Sequence, residues 1–422
     1  MNIAIIGSGG REHSLCFKLK KSKKVSKIFC FPGNAGTSSI SKNIKVDTNN
    51  FSKIFKHIKK NKINLIVVGP EVPLVNGIVD YFKKRNIPIF GPSKKASKLE
   101  GSKVFMKNFC KKFKIPTAKY KQVFNLDDAK HFISTLKFPI VVKSDGLAAG
   151  KGVTICKNKK KALLEIKKIF NGKFKSSKKV VVEEFLAGEE ASYFVITDGK
   201  SFKNIGTAQD HKRIGEGDTG PNTGGMGAYS PSYIINKKME NKIINKIIIP
   251  TINGMRKIGC RYQGILYAGL MINNNEPKLI EYNVRFGDPE CQVIMMRLKN
   301  DLLELIQSTL NKNLKKKRIV WERKKAITVV VANKGYPGKY KNNIELKNLY
   351  KIKQNSKMQL FHAGTIIDER NKVKTNGGRV LNATVMNQNL KVARDTAHKM
   401  IKRIVWKNKY YRKDIGYKVI DK

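Results

Sequence analysis

Residues 2–13 read NIAIIGSGGREH, a short apolar run that enters a glycine turn and continues into a helical pattern. The run predicts a buried strand at 2–6, and the pattern after the turn predicts a helix at 12–21. The same alternation continues along the chain, with strands expected at 27–31, 64–68 and 88–90 and helices at 51–60 and 75–84. Strands that alternate with helices predict a doubly wound parallel sheet.

The glycine turn leaves two interpretations open. It begins like a dinucleotide-binding turn, but Glu12 stands where the third glycine is required, and a carboxylate beside a pyrophosphate is unfavourable. A monophosphate held by Gly9, Gly10 and Arg11 fits better, and the alternative is a tight turn without a ligand. The same edge of the sheet is expected to receive PGNAGT at 32–37, which contains Asn34 and Gly36.

Length and charge restrict the class of protein. The 422 residues suffice for two to four domains, which excludes peptide hormones, knottins and isolated binding modules. The 86 basic and 31 acidic residues give a formal net charge of +55, and lysines occur in nearly every segment. Because arginine, which suits base readout, is scarce, a composition bias over the whole surface is favoured over a specific nucleic-acid site. Non-specific adhesion to polyanions is still expected.

The cysteines and apolar runs indicate a cytoplasmic protein. None of the six cysteines belongs to a C-x-x-C pair, which excludes a zinc ribbon or a thioredoxin-type site and favours reduced, mostly buried thiols. No apolar run approaches the roughly 18 residues of a membrane span, and the N-terminal run is too short for a signal peptide. We therefore expect no membrane partner.

A small-residue loop at 143–152, KSDGLAAGKG, follows an apolar strand. Only three residues separate Gly146 from Gly150, and Gly152 follows Lys151 where a Walker A loop has Ser or Thr. Its backbone N–H groups and its two lysines, Lys143 and Lys151, nevertheless suit phosphates. The loop predicts a nucleotide-covering lid, and a plain hairpin turn is the alternative.

Carboxylates cluster where the next predicted strand ends. Glu183 and Glu184 are followed by Phe185, Leu186 and, four residues on, Glu190 in a chain that is otherwise poor in acids. The backbone of this hinge is suited to reading an adenine edge, and a carboxylate there to accepting ribose hydroxyls. A solvated charge cluster is the alternative.

The segment EYNVRFGDPE at 281–290 gives the strongest signal. In a strand, residues two apart share a face, so Glu281, Asn283 and Arg285 point the same way. Two oxygen ligands for a hard cation beside a guanidinium predict a magnesium–nucleotide site, and a surface ladder of ion pairs is the alternative. The cations of residues 210–213 precede a glycine-dense stretch at 215–227, which we expect to be a functional loop without regular structure.

These motifs and several others occur in a fixed order over essentially the whole chain. They include GSGGREH at 7–13, GPE at 69–71, LEGSK at 99–103, KSDGLAAGKGV at 143–153, EEFLAGEEAS at 183–192, QDHKR at 209–213, DTGPNTGGMGAYSP at 218–231, EYNVRFGDPE at 281–290, FHAGT at 361–365, NGGRVL at 376–381 and RKDIGY at 412–417. On these motifs the chain resembles the glycinamide ribonucleotide synthetases, a family of the ATP-grasp superfamily in purine biosynthesis.

The resemblance implies an ATP-dependent ligase that joins glycine to 5-phosphoribosylamine through a glycyl phosphate, with Mg²⁺ or Mn²⁺, and that is a monomer. Glu281 and Asn283 would hold the metal. Catalytic roles would fall to Arg285, Lys212 and Asp210. Nucleotide contacts would come from Lys103, Lys143, Gly150, Lys151, Gly152, Glu183, Glu184, Phe185, Leu186 and Glu190. Substrate contacts would come from Gly9, Gly10, Arg11, Asn34, Gly36, Gly224, Gly225 and Asp288.

The resemblance also implies a division of the chain into domains. An N-terminal substrate-binding α/β domain at 1–100 would precede central ATP-grasp regions at 101–190 and 191–312, with an inserted lid at about 122–188, and an α+β C-terminal domain at 313–422. Two other functions stay open at this point: a different ATP-grasp ligase or carboxylase, and a basic nucleic-acid-binding protein that has lost catalysis. Retention of Glu281, Asn283 and the lid glycines argues against loss of catalysis.

Overall fold

The computed structural model describes residues 1–147, 152–172 and 179–420. The first hundred residues form strands β1 (Asn2–Gly7), β2 (Lys27–Pro32), β3 (Lys42–Asn43), β4 (Leu65–Val68) and β5 (Ile89–Phe90), and helices α1 (Gly10–Lys20), α2 (Phe51–Lys60), α3 (Glu71–Asn76), α4 (Ile78–Lys83) and α5 (Lys98–Gly101). The strands form one parallel sheet in the order β3-β2-β1-β4-β5. The predicted doubly wound sheet is confirmed.

Strand β1 explains why this sheet forms. Its residues alternate between two hydrophobic cores, with Ala4 and Ile6 on one face and Ile3 and Ile5 on the other. All four side chains are buried. A parallel strand covered on both faces requires a continuous apolar run, which is the pattern that opens the sequence.

One helix boundary was predicted wrongly. Residues 75–84, expected as a single helix, belong to two, because α3 ends at Asn76 and α4 begins at Ile78. Gly77 between them has φ +95°, the left-handed conformation that ends a helix and that glycine adopts without steric cost. The apolar pattern continues through the glycine and so conceals the break.

The next region carries a small sheet of its own. Its elements are α6 (Lys103–Lys112), β6 (Tyr120–Val123), α7 (Leu126–Ser134), β7 (Ile140–Ser144), β8 (Val153–Cys156), α8 (Lys159–Phe170) and β9 (Val180–Glu184). The four strands are antiparallel in the order β6-β9-β7-β8. Helices α7 and α8 pack on it around a separate core that includes Ile133, Ile166 and Val182. Helix α6 precedes the range of about 122–188 predicted for the lid, and the sheet begins close to it at Tyr120 and ends within it at Glu184; the bounds of the lid stay a prediction.

The rest of the described molecule is built on a large antiparallel sheet, with two separate two-stranded hairpins beside it. Its first part comprises β10 (Glu189–Thr197), β11 (Phe202–Asp210), β12 (Arg213–Gly215), β13 (Thr219–Asn222), β14 (Gly227–Ser230), α9 (Lys237–Ile243), α10 (Ile249–Lys257), β15 (Gly264–Asn273), β16 (Glu276–Asn283), α11 (Glu290–Arg297) and α12 (Leu302–Leu310). A π-helical turn at Ile244–Ile248 joins α9 to α10. The C-terminal part comprises β17 (Lys325–Asn333), β18 (Met358–His362), β19 (Thr365–Ile367), β20 (Val373–Thr375), β21 (Arg379–Asn387), α13 (Leu390–Arg403), β22 (Lys409–Tyr410) and α14 (Tyr417–Ile420).

This sheet crosses the predicted boundary at residue 312. Its order is β16-β15-β10-β11-β14-β17-β21-β18, with β22 also on β17. Strand β14 pairs with β17 over four residues, from Gly227 opposite Val329 to Ser230 opposite Ala326. The central and C-terminal regions therefore share one hydrogen-bonded sheet.

The glycine-dense stretch contains regular structure, contrary to the prediction. Strands β12 and β13 form an antiparallel hairpin, and β14 begins at Gly227. Gly217 and Asp218 have φ of +64° and +55° and make the tight turn between the two strands. The prediction was wrong because glycines and other turn residues do not exclude strands: here they connect two short ones.

All six cysteines are buried, and none of them forms a disulfide. Among the helices of the described residues, none has the length and apolar character required to cross a bilayer.

Two histidines join the N-terminal sheet to the C-terminal region. The backbone N–H of His362, at the end of β18, donates to Nδ1 of His13 on α1 at 2.9 Å. His13 is buried and His362 is partly buried. Burial lowers the pKa of His13 to about 3, with His362 adding to the shift, and it lowers the pKa of His362 to about 4. Nδ1 of His13 accepts this hydrogen bond only while it carries no proton, so the contact is made by the neutral imidazole of His13.

We expect acid to weaken this contact and the fold. In the unfolded chain the imidazoles take up protons below about pH 6.5, but in the folded protein only near pH 3 to 4. Folding stability is therefore complete above pH 6.5 and falls as the pH drops towards the folded pKa values, by about 1.4 kcal/mol per pH unit for each imidazole. Thermal melting at pH 7 and pH 5 should show less of this fall in His13→Gln. His131→Gln, at an exposed position, should behave like the unaltered protein.

Candidate active site

A cavity of about 500 Å³ lies where the N-terminal sheet, the lid sheet and the large sheet meet. Most of the residues predicted from sequence line it, although they come from distant parts of the chain. Those that line it are Arg11, Lys103, Lys143, Glu183, Glu184, Phe185, Leu186, Glu190, Asp210, Lys212, Gly224, Glu281, Asn283, Arg285 and Asp288. The fold thus gathers into one chamber the groups that the sequence assigned to nucleotide, metal and substrate.

Other predicted residues are placed elsewhere. Gly9, Gly10, Asn34, Gly36, Gly152 and Gly225 are not among the residues lining the cavity. Gly152 precedes β8 and its carbonyl accepts a hydrogen bond from the Ser144 N–H at 2.8 Å. Gly150 and Lys151 lie outside the described residues.

Three charged side chains form a buried cluster at the lid side of the cavity. Oε2 of Glu183, on β9, lies 2.9 Å from Nζ of Lys143 on β7 and 3.1 Å from Nζ of Lys107 on α6. All three side chains are less than one-tenth exposed. One carboxylate between two ammonium groups leaves net positive charge beside the cavity, which favours an anion there. Lys107 was missed from sequence because a lysine on a helix carries no signal in a chain with 86 basic residues.

The hinge after β9 borders the same side of the cavity. Phe185 is 40% exposed, so it offers apolar surface to an incoming ring. Glu184 accepts the Lys119 N–H at 3.0 Å, which fixes the hinge to the chain before β6. Glu190 lies 2.6 Å from Nζ of Lys212, and this ion pair spans from β10 to the end of β11.

Glu281 and Asn283 extend into the cavity from alternate positions of β16, as the strand period predicts. Within the described residues neither side chain makes a hydrogen bond or an ion pair. Burial opposes ionisation of Glu281, but Lys212, Lys143 and Lys103 outweigh it and hold the pKa of this carboxyl below its ordinary value. An ionised carboxylate and an amide oxygen without protein partners fit a hard cation.

This pair cannot complete a metal site by itself. Within the described residues no group of three or more His, Cys, Asp or Glu side chains is placed to hold a metal. Mg²⁺ commonly takes one or two protein oxygens and completes its coordination with nucleotide phosphates and water. The donor set is therefore of the kind that binds a metal together with a nucleotide.

Arg285 is held by carboxylates of the N-terminal region. Its guanidinium lies 2.8 Å from Glu100 and 3.1 Å from Glu71. Burial raises the pKa of Glu100 to about 7, with Glu71 adding to the shift, whereas the cations Arg285 and Arg11 lower the pKa of Glu71 to about 2. Both carboxylates stand in quoted motifs, GPE and LEGSK, but their pairing with Arg285 requires the fold.

Glu12 fills the space at the first glycine turn. Its Oε2 accepts the Gly9 N–H at 2.6 Å, and its Oε1 lies 2.6 Å from Nε of Arg11. A side chain on Gly69 would overlap the same carboxylate. A phosphate could contact the Gly9 N–H only if Glu12 moved. The carboxylate of Glu12 therefore competes with the predicted monophosphate for this N–H.

Gly10, Asn34 and Gly36 make contacts with the C-terminal region. A Cβ on Gly10 would overlap the side chains of Asn382 and Gln292. Asn34 donates to the carbonyl oxygens of Ser8 and His362 at 2.8 and 2.9 Å and accepts the Gly36 N–H at 2.8 Å. Their predicted roles in substrate binding stay predictions.

The C-terminal region supplies two cavity residues that sequence reasoning left without a role. Arg379, in the quoted NGGRVL motif, donates to the carbonyl oxygens of Gly224 and Asp288, each at 2.6 Å. The Tyr336 hydroxyl accepts the Gly224 N–H at 2.9 Å. Both residues line the cavity and fix the glycine that follows the hairpin.

Asp210 provides a group that can exchange a proton in this part of the cavity. Burial, followed by the neighbouring carboxylate of Glu290, raises the pKa of Asp210 well above its ordinary value. Oδ1 of Asp210 has no hydrogen-bond partner within the described residues. A carboxyl with a raised pKa and a free oxygen suits general acid–base chemistry.

Comparisons with known proteins agree with this geometry. Three family models match in order: the N domain of phosphoribosylglycinamide synthetase at residues 1–100, its ATP-grasp (A) domain at 101–291 and its C domain at 326–418. The phosphoribosylamine–glycine ligase of Brucella melitensis is 44% identical over 100% of this chain and 99% of its own length. The chloroplastic enzyme of that name from Arabidopsis thaliana is 45% identical over 97% of this chain and 79% of its own.

Solved structures show the same relationship. The crystal structure of phosphoribosylamine–glycine ligase from Thermotoga maritima superposes with a TM-score of 0.85 at 32% identity, covering 98% of this chain and 100% of that one. The biotin carboxylase domain of Hydrogenobacter thermophilus 2-oxoglutarate carboxylase, with a TM-score of 0.76 at 14% identity over 97% of this chain and 91% of that one, shares the fold alone. The chain belongs to the phosphoribosylglycinamide synthetase family of ATP-grasp ligases.

Proposed function

We propose that the cavity is the site at which this protein joins glycine to 5-phosphoribosylamine, with hydrolysis of ATP to ADP and phosphate, to give glycinamide ribonucleotide in purine biosynthesis. The overall reaction is that of the family. One observation carries the assignment: a single chamber holds several cations, a carboxylate–amide pair that makes no hydrogen bond or ion pair within the described residues, and a carboxyl with a raised pKa. These are the groups required for a triphosphate, its metal and a proton transfer.

The reaction is proposed to run through glycyl phosphate. A carboxylate oxygen of glycine attacks the γ-phosphorus of ATP, and ADP leaves. The amine of 5-phosphoribosylamine then attacks the acyl carbon, phosphate leaves, and the amine proton passes to Asp210. Both steps bring anions together, so they depend on neutralising charge and on positioning more than on a nucleophilic side chain.

Each cation of the cavity has a proposed role. Lys143 and Lys103 bind the triphosphate, and Arg285 and Lys212 stabilise the charge on the phosphoryl group in transfer. Mg²⁺ or Mn²⁺ at Glu281 and Asn283 would supply Lewis-acid polarisation of the phosphate oxygens. The biotin carboxylase domain that shares the fold was solved with MgADP.

Further contacts complete the proposal. Adenine is proposed to lie against the hinge at 183–186 and the ribose near Glu190. The lid role proposed for the loop at 143–152, which would exclude water from the acyl phosphate, stays a prediction, because residues 148–151 lie outside the described residues. The phosphoribosyl group and glycine occupy the end formed by Arg11, Gly224 and Asp288. A monomer in the cytoplasm stays our prediction.

The test is glycine-dependent ADP release with 5-phosphoribosylamine generated in place, leaving out each substrate in turn. We expect ADP and glycinamide ribonucleotide to form only in the complete mixture. ADP release with a different carboxylate or amine would change the substrate assignment, and no turnover by folded protein would overturn the function.

A further inference from the structure

The hairpin of β12 and β13, residues 213–222, adjoins the cavity but lacks a core of its own. Strand β13 is exposed along its whole length. The chain continues from it into Thr223 and Gly224, which line the cavity together with Asn222. Because apolar burial contributes little to holding β13, polar contacts must set the position of the hairpin and of the cavity residues after it.

Arg412, in the RKDIGY motif that the proposed function leaves without a role, makes those contacts. Its side chain is fully buried. The guanidinium donates to Oδ1 of Asp218 at 2.8 Å, to the carbonyl oxygen of Arg213 at 3.0 Å, and to both carboxylate oxygens of Asp414 at 2.8 and 2.6 Å. Arg412 therefore joins the first residue of β12, Arg213, and the turn residue before β13, Asp218, to the C-terminal segment.

Neighbouring contacts from residues 410–418 act in the same direction. At the turn of the hairpin, Asp414 accepts the Gly217 N–H at 2.8 Å, and Glu216 accepts the Lys413 N–H at 3.0 Å. On the β12 side, the Tyr410 hydroxyl donates to the Ile214 carbonyl at 2.8 Å. Before the hairpin, His211 accepts the Gly416 N–H at 2.9 Å. Each of them joins the hairpin, or His211 two residues before it, to the same short segment. Hydrogen bonds and ion pairs from residues 410–418 thus hold the hairpin in place.

The same contacts stabilise the backbone conformation of the turn residue Asp218. Its φ of +55° is a left-handed conformation that is uncommon for a residue other than glycine. Its carboxylate lies 2.8 Å from Arg412 and 3.0 Å from Lys418, and it accepts a hydrogen bond from the Tyr417 hydroxyl at 3.1 Å. These charge-assisted contacts compensate for the unfavourable backbone conformation.

We propose that Arg412 is a positioning residue for the ligation: by holding Asp218 and the hairpin, it sets the affinity of the cavity for glycine and 5-phosphoribosylamine without touching either. The inference rests on the proposed function, which assigns those substrates to the Gly224 end and ATP to the Lys143 end. A less firmly held hairpin should therefore weaken the binding of glycine and 5-phosphoribosylamine and leave the binding of ATP unchanged.

The test uses Asp218→Asn and Arg412→Lys, with Asp368→Asn as the matched control. Asp368 also forms an ion pair in the C-terminal region, 2.8 Å from Nζ of Lys374, and its residue is not among those lining the cavity. Loss of the carboxylate charge that Arg412 and Lys418 contact predicts that Asp218→Asn raises KM for glycine and 5-phosphoribosylamine about tenfold, with KM for ATP changed less than about twofold. The control should leave all three values unchanged.

The possible results separate the two proposals. Unchanged KM values in folded Asp218→Asn, or a rise in KM for ATP as large as the others together with a lower Tm, would overturn the positioning role. If Arg412→Lys does not fold, Asp218→Asn still tests the positioning role, because the Asp218 side chain is partly exposed and its replacement should be tolerated by the fold. Absence of turnover in the unaltered protein would instead overturn the proposed function, and this inference with it.

Discussion

Replacing Glu281 by glutamine is expected to lower kcat by about 100- to 1,000-fold, the range seen when one preorganised electrostatic contact to a transition state is lost. The side chain keeps its size, but it loses the charge that Lys212, Lys143 and Lys103 stabilise and that a cation requires. The melting temperature should change little, because Glu281 makes no ion pair with the described residues. Steady-state kinetics at saturating ATP, with thermal melting alongside, measure both quantities.

Glu276→Gln provides the matched control. Glu276 lies on the same strand, but its exposed carboxylate pairs with Lys242 and Lys246 at the surface, at 2.7 and 2.6 Å. Exposed ion pairs contribute about 0 to 1 kcal/mol, so this variant should keep both its turnover and its stability. Near-normal turnover in Glu281→Gln would remove the metal from β16 and require another site for it.

Replacing Glu183 by glutamine is expected to lower the free energy of unfolding by about 3 to 5 kcal/mol, the usual cost of removing one partner of a buried ion pair. Lys107 and Lys143 would then face each other without their shared carboxylate, in surroundings where Lys107 is fully buried and Lys143 nearly so. Denaturant unfolding followed by far-UV circular dichroism should show an earlier transition. Added MgATP should recover part of the loss, because its phosphates supply negative charge to the same ammonium groups.

Glu184→Gln tests whether this effect comes from burial. Glu184 is the next residue, is one-third exposed and lies 3.4 Å from Nζ of Lys278. Its replacement should cost less than about 1 kcal/mol. Equal losses of stability in the two variants would contradict the buried cluster as the source of the effect.

The strands and most of the site could be predicted because their signals are local. An apolar run predicts β1 since both faces of that strand are buried, and the two-residue period of β16 places Glu281 and Asn283 on one face. Gly77 shows the limit of such reasoning. Its left-handed φ divides a helix at a point where the apolar pattern gives no warning.

Contacts between distant segments could not be predicted in this way. Arg379 and Tyr336 reach Gly224 from more than one hundred residues further along the chain, through pairing of β14 with β17. The sequence displays an arginine in a glycine-rich motif, but nothing local indicates which backbone carbonyl it will meet. Lys107 is similar, because nothing in a lysine-rich composition distinguishes a buried lysine from the exposed ones.

The shared large sheet has a consequence for the growing polypeptide on the ribosome. Strand β14 leaves the ribosome nearly one hundred residues before β17, the neighbour that completes its hydrogen bonds. At about 5 to 20 residues per second, its free edge waits roughly 5 to 20 seconds for that neighbour. An unpaired strand edge of this kind can pair with other chains, so the risk that the central region aggregates is highest during synthesis. Co-translational chaperone protection would matter most in that interval.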